Sequence, residues 1–202
     1  MLPSDLDLCG YAAAAYTSPA TFVVAGDVYC VVTDTPNATI FSFRGTVPTS
    51  LEDWERDVYA WPTELPDHPR LGRLHSGFAR GADAALEPLR AILPTRKPIV
   101  ATAHSLGGAL AIATTALLVD SGVPVACCTT FGAPRISMDR RVGDILCETP
   151  GKRFRNGRDP VPPEPALFYL TDRPWTSLIS KHPTAFILDD HYIASYLEAL
   201  KP

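Results

Sequence analysis

Residues 98–120 read PIVATAHSLGGALAIATTALLVD, with no Lys, Arg or Glu anywhere and no Asp before Asp120. An apolar run of this length is long enough to raise a membrane span. His104 and Ser105 sit inside it, however, and Gly107 and Gly108 follow at once. A polar pair at mid-bilayer is costly. A buried strand over Pro98–Ala103 that turns sharply into a buried helix over Gly107–Asp120 explains the same run without lipid. Ser121-Gly122 then stops the helix, and Val123–Phe131 reads as a second buried strand. Continuous apolar strands alternating with helices predict an α/β protein with a mostly parallel sheet covered on both faces.

The rest of the chain fits that frame. Residues 5–16 (DLDLCGYAAAAY) read as a short helix. Val28–Val32 and Thr39–Phe43 are β-rich runs around a turn-like Thr33–Asn37, which predicts a hairpin. A helix follows from Phe78 to about Leu93, with Pro88 expected to bend it. A further strand passes through Arg153-Phe154-Arg155, and a last helix runs from about His191 to Leu200. No repeat or linker divides the chain, so residues 1–202 are expected to form a single domain.

Composition narrows the function. The 202 residues carry 18 basic and 22 acidic side chains, a formal net charge of −4, with no run of Lys or Arg. That leaves no footprint for nucleic acid. The 20 prolines cluster at Pro62, Pro66 and Pro69 and again at Pro160, Pro162, Pro163 and Pro165, marking rigid loops. Five cysteines, without CxxC or Cys/His spacing, read as reduced thiols rather than a disulfide frame or zinc site. Cys127 and Cys128 are expected to face opposite sides of one strand. No metal or cofactor is expected, and a monomer is. The opening MLPSDLDLCG lacks the basic start and apolar run of a signal peptide, which points to a cytoplasmic or phage-encoded setting.

The chemistry centres on Ala103-His104-Ser105-Leu106-Gly107-Gly108. A tight strand-to-helix turn exposes a serine hydroxyl to a neighbouring histidine. It also crowds the backbone, so the positions two before and two after must be small. Here they are Ala103 and Gly107. The helix that starts there aims free N–H groups at a developing oxyanion. In such elbows the acid and the histidine follow the serine in that order. Only His182 and His191 come later. The acids are Asp139, Asp144, Asp159, Asp172, Asp189 and Asp190, with Glu148 and Glu164. Asp159 stands out because it follows a strand and the Asn156-Gly157 turn. His191 follows the apolar Phe186-Ile187-Leu188, whereas His182 lies in a polar stretch before a proline.

Phe43-Arg44-Gly45-Thr46, Asp53-Trp54, His75-Ser76-Gly77-Phe78, the serine motif, Phe131-Gly132-Ala133-Pro134-Arg135, the run from Asn156 to Pro162, and Asp190-His191-Tyr192 occur in that order. Together they resemble the class 3 lipases, which are related to fungal lipases and feruloyl esterases. Ala103, where the family pattern has Gly, is the departure. The resemblance implies an α/β-hydrolase fold and a Ser105–Asp159–His191 triad. It implies oxyanion donors at the N–H groups of Thr46 and Leu106. The implied reaction is hydrolysis of acyl esters such as acylglycerols through an acyl-enzyme. A phospholipase A1 or feruloyl-type esterase on the same scaffold is the alternative, as is a silent fold that binds a lipid or partner.

By the same resemblance, Thr46–Trp61 is the place for an amphipathic lid, opening in transient contact with a lipid interface. Trp54 belongs to it. The segment between Asp159 and His191 is short, and Phe168, Tyr169, Leu170, Trp175 and Ile179 within it are expected to line the substrate pocket. His75 is expected to fix local structure, and Arg44 to pair with an acid such as Asp57.

Overall fold

The computed structural model describes residues 1–18, 22–25, 28–45, 61–93, 96–166, 169–170, 172–181 and 187–202. In chain order the elements that frame the site are α1 (Asp5–Ala14), β1 (Phe22–Ala25), β2 (Val28–Asp34), β3 (Thr39–Phe43), β4 (Pro62–Thr63), β5 (Leu74–His75), α2 (Ser76–Ile92), β6 (Ile99–His104), α3 (Leu106–Asp120), β7 (Cys127–Phe131), α4 (Arg141–Ile145), β8 (Arg153–Asn156), β9 (Trp175–Leu178) and α5 (Ile193–Leu200). Seven strands form one sheet in the order β1-β2-β3-β6-β7-β8-β9, and β4 pairs with β5 apart from it.

The hairpin expected around Thr33–Asn37 is β2 against β3, antiparallel, with Asp34 opposite Thr39. From β3 onward the sheet is parallel: Phe43 pairs with Ala103, His104 with Phe131, and Phe131 with Phe154. Helices α2 and α3 are therefore the crossovers from β3 to β6 and from β6 to β7. Each starts at the carboxyl ends of the parallel strands, where a doubly covered sheet presents its ligands.

Alternation along the strands sorts side chains onto two cores. Phe41, Phe43, Ala101, Ala103 and Cys128 face α2 and α3. Ile40, Val100, Phe131 and Phe154 face α1 and α5, together with Cys127. The two adjacent cysteines thus point to opposite faces. All five cysteines are free. Helix α3 is apolar on every side because it is enclosed all round: every residue from Gly107 to Leu118 is buried. Among the described residues, no helix is long and apolar enough to cross a membrane.

Several expected boundaries move. Strand β7 begins at Cys127 rather than Val123, since Pro124 has no N–H to give a ladder. The last helix begins at Ile193, not His191. Residues Ile187–Asp190 form a 3₁₀ turn that His191 closes by donating its N–H to the Leu188 carbonyl at 3.0 Å. Helix α2 runs through Pro88 without ending. Strand β9 was not expected, because an edge strand with half-exposed Trp-Thr-Ser-Leu shows no apolar run.

Candidate active site

Ser105 joins β6 to α3 with φ 57° and ψ −134°. It is the only non-glycine residue at positive φ among the described residues. An L-residue avoids this conformation unless its surroundings impose it. They do so on both sides. The Ser105 N–H donates to the Phe131 carbonyl at the end of β7 at 2.9 Å. Two residues on, a Cβ at Gly107 would lie 2.4 Å from the Phe43 carbonyl oxygen. The elbow is pressed against the end of β3 closely enough that only glycine fits there. Ala103, on the other flank, buries its methyl in the core facing α2 and α3.

The geometry around Ser105 assembles from three distant segments. His191, placed between the 3₁₀ turn and α5, lies with Nε2 2.8 Å from Ser105 Oγ. Its Nδ1 lies 3.0 and 2.9 Å from the two carboxylate oxygens of Asp159. Carboxylate oxygens only accept, so the His191 proton sits on Nδ1. Nε2 then presents its lone pair to the Ser105 hydroxyl. Asp159 is fully buried. It is held by the Val161 N–H on Oδ1 at 2.9 Å and by the Tyr196 hydroxyl on Oδ2 at 2.5 Å. Arg155 Nε donates to the Asp159 carbonyl at 3.1 Å and fixes its backbone.

Tyr196 comes from α5, and its hydroxyl oxygen accepts the Asn156 N–H at 3.1 Å. Burial, with the Asp159 charge beside it, holds its pKa well above the usual phenol value, so it stays a donor. Gly132, just past β7, closes over this cluster with φ 61°. A Cβ there would meet Asp159 Oδ2 at 2.9 Å and His191 Cε1 at 3.2 Å. Behind the elbow, His104 Nδ1 lies 2.8 Å from the Tyr16 hydroxyl and Nε2 lies 2.6 Å from the His191 carbonyl oxygen.

A nucleophile–base–acid row at an elbow is one mark of a hydrolase, and the comparisons with known proteins place it. A family model for class 3 lipases matches residues 40–169. This chain belongs to the class 3 lipases. The matched stretch includes Ser105 and Asp159, and His191 lies beyond it. A secreted mono- and diacylglycerol lipase of Fusarium solani is 34% identical over 104 residues, covering 48% of this chain and 31% of its own length. The triacylglyceride lipase of Rhizomucor miehei superposes with a TM-score of 0.63 at 24% identity, over 81% of this chain and 64% of that one. A lipase of Rhizopus microsporus var. chinensis does so with a TM-score of 0.67 at 22% identity, over 90% and 75%. These superpositions show the α/β-hydrolase fold.

The chain thus spans about a third of the Fusarium relative. That relative is a secreted enzyme, which overturns the cytoplasmic or phage-encoded setting expected from the N-terminal residues. The reason is physical: a leader peptide is removed from a mature enzyme, so its absence from these residues carries no compartment.

The remaining site residues of this class 3 lipase divide. Leu106 opens α3, so its N–H is among the four without an intrahelical acceptor. Thr46, Trp54 and Phe168, like Asp57 and His182, lie outside the described residues, as does the stretch 46–60 expected to form the lid. Tyr169 is buried, with its ring 6.0 Å from that of His75, which stacks on Phe78 at 4.2 Å. Burial pushes the Tyr169 hydroxyl pKa up. The His75 backbone N–H donates to the Ile136 carbonyl at 2.9 Å, which ties β5 to the segment after β7.

Trp175 is a correction. It pairs with Arg153 on β9, three strand spacings from β6 and so roughly 14 Å from the elbow strand. Its ring is flanked by the guanidinium carbons of Arg135 and Arg155 at 5.5 and 5.7 Å, which makes it an edge-strand packing residue. Arg44 is exposed and stacks on Tyr29 at 4.0 Å. Sequence reasoning missed Tyr196 and Tyr16, and gave Gly132 no role beyond its place in a motif. For Tyr196 a signal existed: a tyrosine at helical spacing with Ile193, Leu197 and Leu200 on the apolar face of the last helix, five residues past the histidine.

Proposed function

We propose that this chain is a single-domain serine carboxylic ester hydrolase that cleaves acylglycerol-type esters through an acyl-enzyme. The observation that carries the reading is the row Ser105 Oγ, His191 Nε2, His191 Nδ1, Asp159 carboxylate, with links of 2.8 and 2.9 Å. The single-domain reading is supported by α1 and α5, the two terminal helices, which pack on one another against the same sheet.

The tautomer dictates the proton path. His191 Nε2 takes the Ser105 proton as Oγ attacks the ester carbonyl, forming a tetrahedral intermediate. The Leu106 N–H, with that of Thr46, is the donor pair for the resulting oxyanion. The imidazolium, stabilised by Asp159, then gives its proton to the leaving alcohol, and the acyl group remains on Ser105. A water, deprotonated by His191, attacks the acyl carbonyl and releases the acid. A lipid-type substrate is supported by family membership. It is also supported by large apolar side chains left in solvent near the carboxyl ends of the strands: Trp61 ahead of β4, Ile179 after β9, and Tyr192 next to His191. Such side chains suit transient contact with a lipid interface.

Hydrolysis of p-nitrophenyl esters across acyl lengths, with Ser105→Ala in parallel, tests the reading. Activity is expected in the wild type at some chain length and is expected to vanish in the variant. A folded wild type inactive on every ester would overturn it.

A further inference from the structure

Two imidazoles lie side by side behind and beside the nucleophile, with ring centroids 4.8 Å apart. They hold opposite tautomers. His191 carries its proton on Nδ1, facing Asp159. His104 faces a carbonyl through Nε2, that of His191 at 2.6 Å, and a carbonyl oxygen only accepts. A neutral imidazole has one N–H, so that proton sits on Nε2. The Nδ1 atom must then accept, and the Tyr16 hydroxyl 2.8 Å away donates to it.

Burial, reinforced by His191 next to it, pushes the His104 pKa down to about 3, so the ring stays neutral. Burial also raises the Tyr16 pKa, while the Gly45 N–H directed at the Tyr16 hydroxyl works against that rise. The result is a chain with one polarity. At one end the Tyr16 hydroxyl rests against the Gly45 backbone, where a Cβ would lie 2.2 Å from it, and the Gly45 N–H is able only to donate. At the other the His191 carbonyl is able only to accept. No internal proton is able to reverse between them without leaving a buried group unpaired.

The ends of this chain matter more than its middle. Gly45 is the last residue of the segment after β3, next to Thr46. His191 is the base. The two are 146 positions apart in sequence (191 minus 45). The side chain that joins them belongs to the residue immediately before the nucleophile, and Tyr16 brings in the end of α1. We propose that Tyr16 and His104 are positioning residues: the chain Gly45 N–H to Tyr16, Tyr16 O–H to His104 Nδ1, and His104 Nε2–H to the His191 carbonyl holds the oxyanion-side loop and the base in mutual register around Ser105. This rests on the ester-hydrolase reading above and goes beyond it by assigning two residues outside the triad.

The test uses steady-state hydrolysis of p-nitrophenyl butyrate by the full chain and its Ser105→Ala, Tyr16→Phe, His104→Leu and His104→Gln variants. Displacement of a catalytic group by a fraction of an ångström is felt in turnover, so Tyr16→Phe and His104→Leu are each expected to lower kcat by roughly 10- to 100-fold with KM within about twofold. His104→Gln places a donor and an acceptor on one amide and is expected to recover most of the loss, which filling the space alone would not do. In the double variant Tyr16→Phe/His104→Leu, kcat is expected to be no lower than in the poorer single variant, because one chain is broken only once. Tyr16→Phe turnover within about twofold of wild type, or losses that multiply in the double variant, would overturn the proposal.

Long-range ¹H–¹⁵N spectra of the histidines give an arm independent of catalysis. His104 is expected as the neutral Nε2–H form from about pH 5 to 8, in wild type and in Ser105→Ala alike. A His104 protonated on Nδ1 would overturn the relay even in an active enzyme. A wild type without esterase activity but with this tautomer would overturn the hydrolase reading and leave the relay's geometry standing.

Discussion

Tyr196 donates its hydroxyl to Asp159 Oδ2 at 2.5 Å, and both side chains are fully buried. The carboxylate that orients His191 is therefore itself oriented, from a helix at the far end of the chain. Removing the hydroxyl leaves Asp159 Oδ2 with His191 alone and strands the Asn156 N–H, which the Tyr196 oxygen accepts.

Tyr196→Phe is accordingly expected to lower both stability and turnover. Stranding buried hydrogen-bonding groups costs about 1–3 kcal/mol, to be read from urea denaturation. Turnover on a p-nitrophenyl ester is expected to fall about tenfold with KM little changed, as for a residue acting through the base. Unchanged stability together with unchanged kcat would remove Tyr196 from the site.

At Ser105 function and stability pull in opposite directions. The residue sits at φ 57° and ψ −134°, where a Cβ is strained and glycine is not. Ser105→Ala keeps the strain and Ser105→Gly relieves it. Both are expected to be inactive, and the glycine variant is expected to be the more stable by about 1 kcal/mol in thermal or urea denaturation. Equal stability of the two would mean that the elbow relaxes once the hydroxyl is gone.

What the sequence made legible was what repeats along it or depends on neighbours in it. The charge-free run from residue 98 to 119 held the central strand, the elbow and the buried helix because each needs only local patterning. Asp159 and His191 stood out from their local settings and from the serine–acid–histidine order. Contacts made across the fold were not legible. Trp175 looked like a pocket aromatic because it lies between Asp159 and His191 in sequence, yet pairing with Arg153 carries it to the sheet edge. Arg153 itself is buried against Asp172 at 2.6 Å, a pair set by the parallel β8–β9 connection and invisible before that pairing is known. For His104 the sequence gives no sign of a role, because side chains of adjacent residues diverge at an elbow. His104 does diverge from Ser105, toward Tyr16 and the back of His191.

The two flanks of the elbow separate steric need from family habit. At Gly107 a Cβ would lie 2.4 Å from the Phe43 carbonyl oxygen, which is backbone and is unable to swing aside. Gly107→Ala is expected to force β3 from the elbow, giving poorly folded or inactive protein. At Ala103 the methyl is already accommodated, fully buried in the core. Ala103→Gly is expected to retain activity within about threefold, with a stability loss of about 1 kcal/mol from backbone freedom and the lost methyl. Melting temperature and ester hydrolysis on the two variants side by side check the contrast.

His104 also leaves a mark on acid stability. Its pKa falls from the ordinary 6.5 to about 3 in the folded protein, mainly by burial. Between those values the unfolded chain binds a proton that the folded chain refuses, so the folded state loses stability as pH falls. The contribution is complete above about pH 6.5 and declines by about 1.4 kcal/mol per pH unit toward pH 3. In His104→Gln this component is absent, while every other titrating group is retained. The difference in unfolding free energy between wild type and variant, measured by urea denaturation at about pH 6 and pH 4.5, is therefore expected to shift by about 2 kcal/mol against the wild type at the lower pH. A difference that stays constant across that interval would mean that His104 titrates alike in the folded and unfolded chains, and that burial does not keep it neutral.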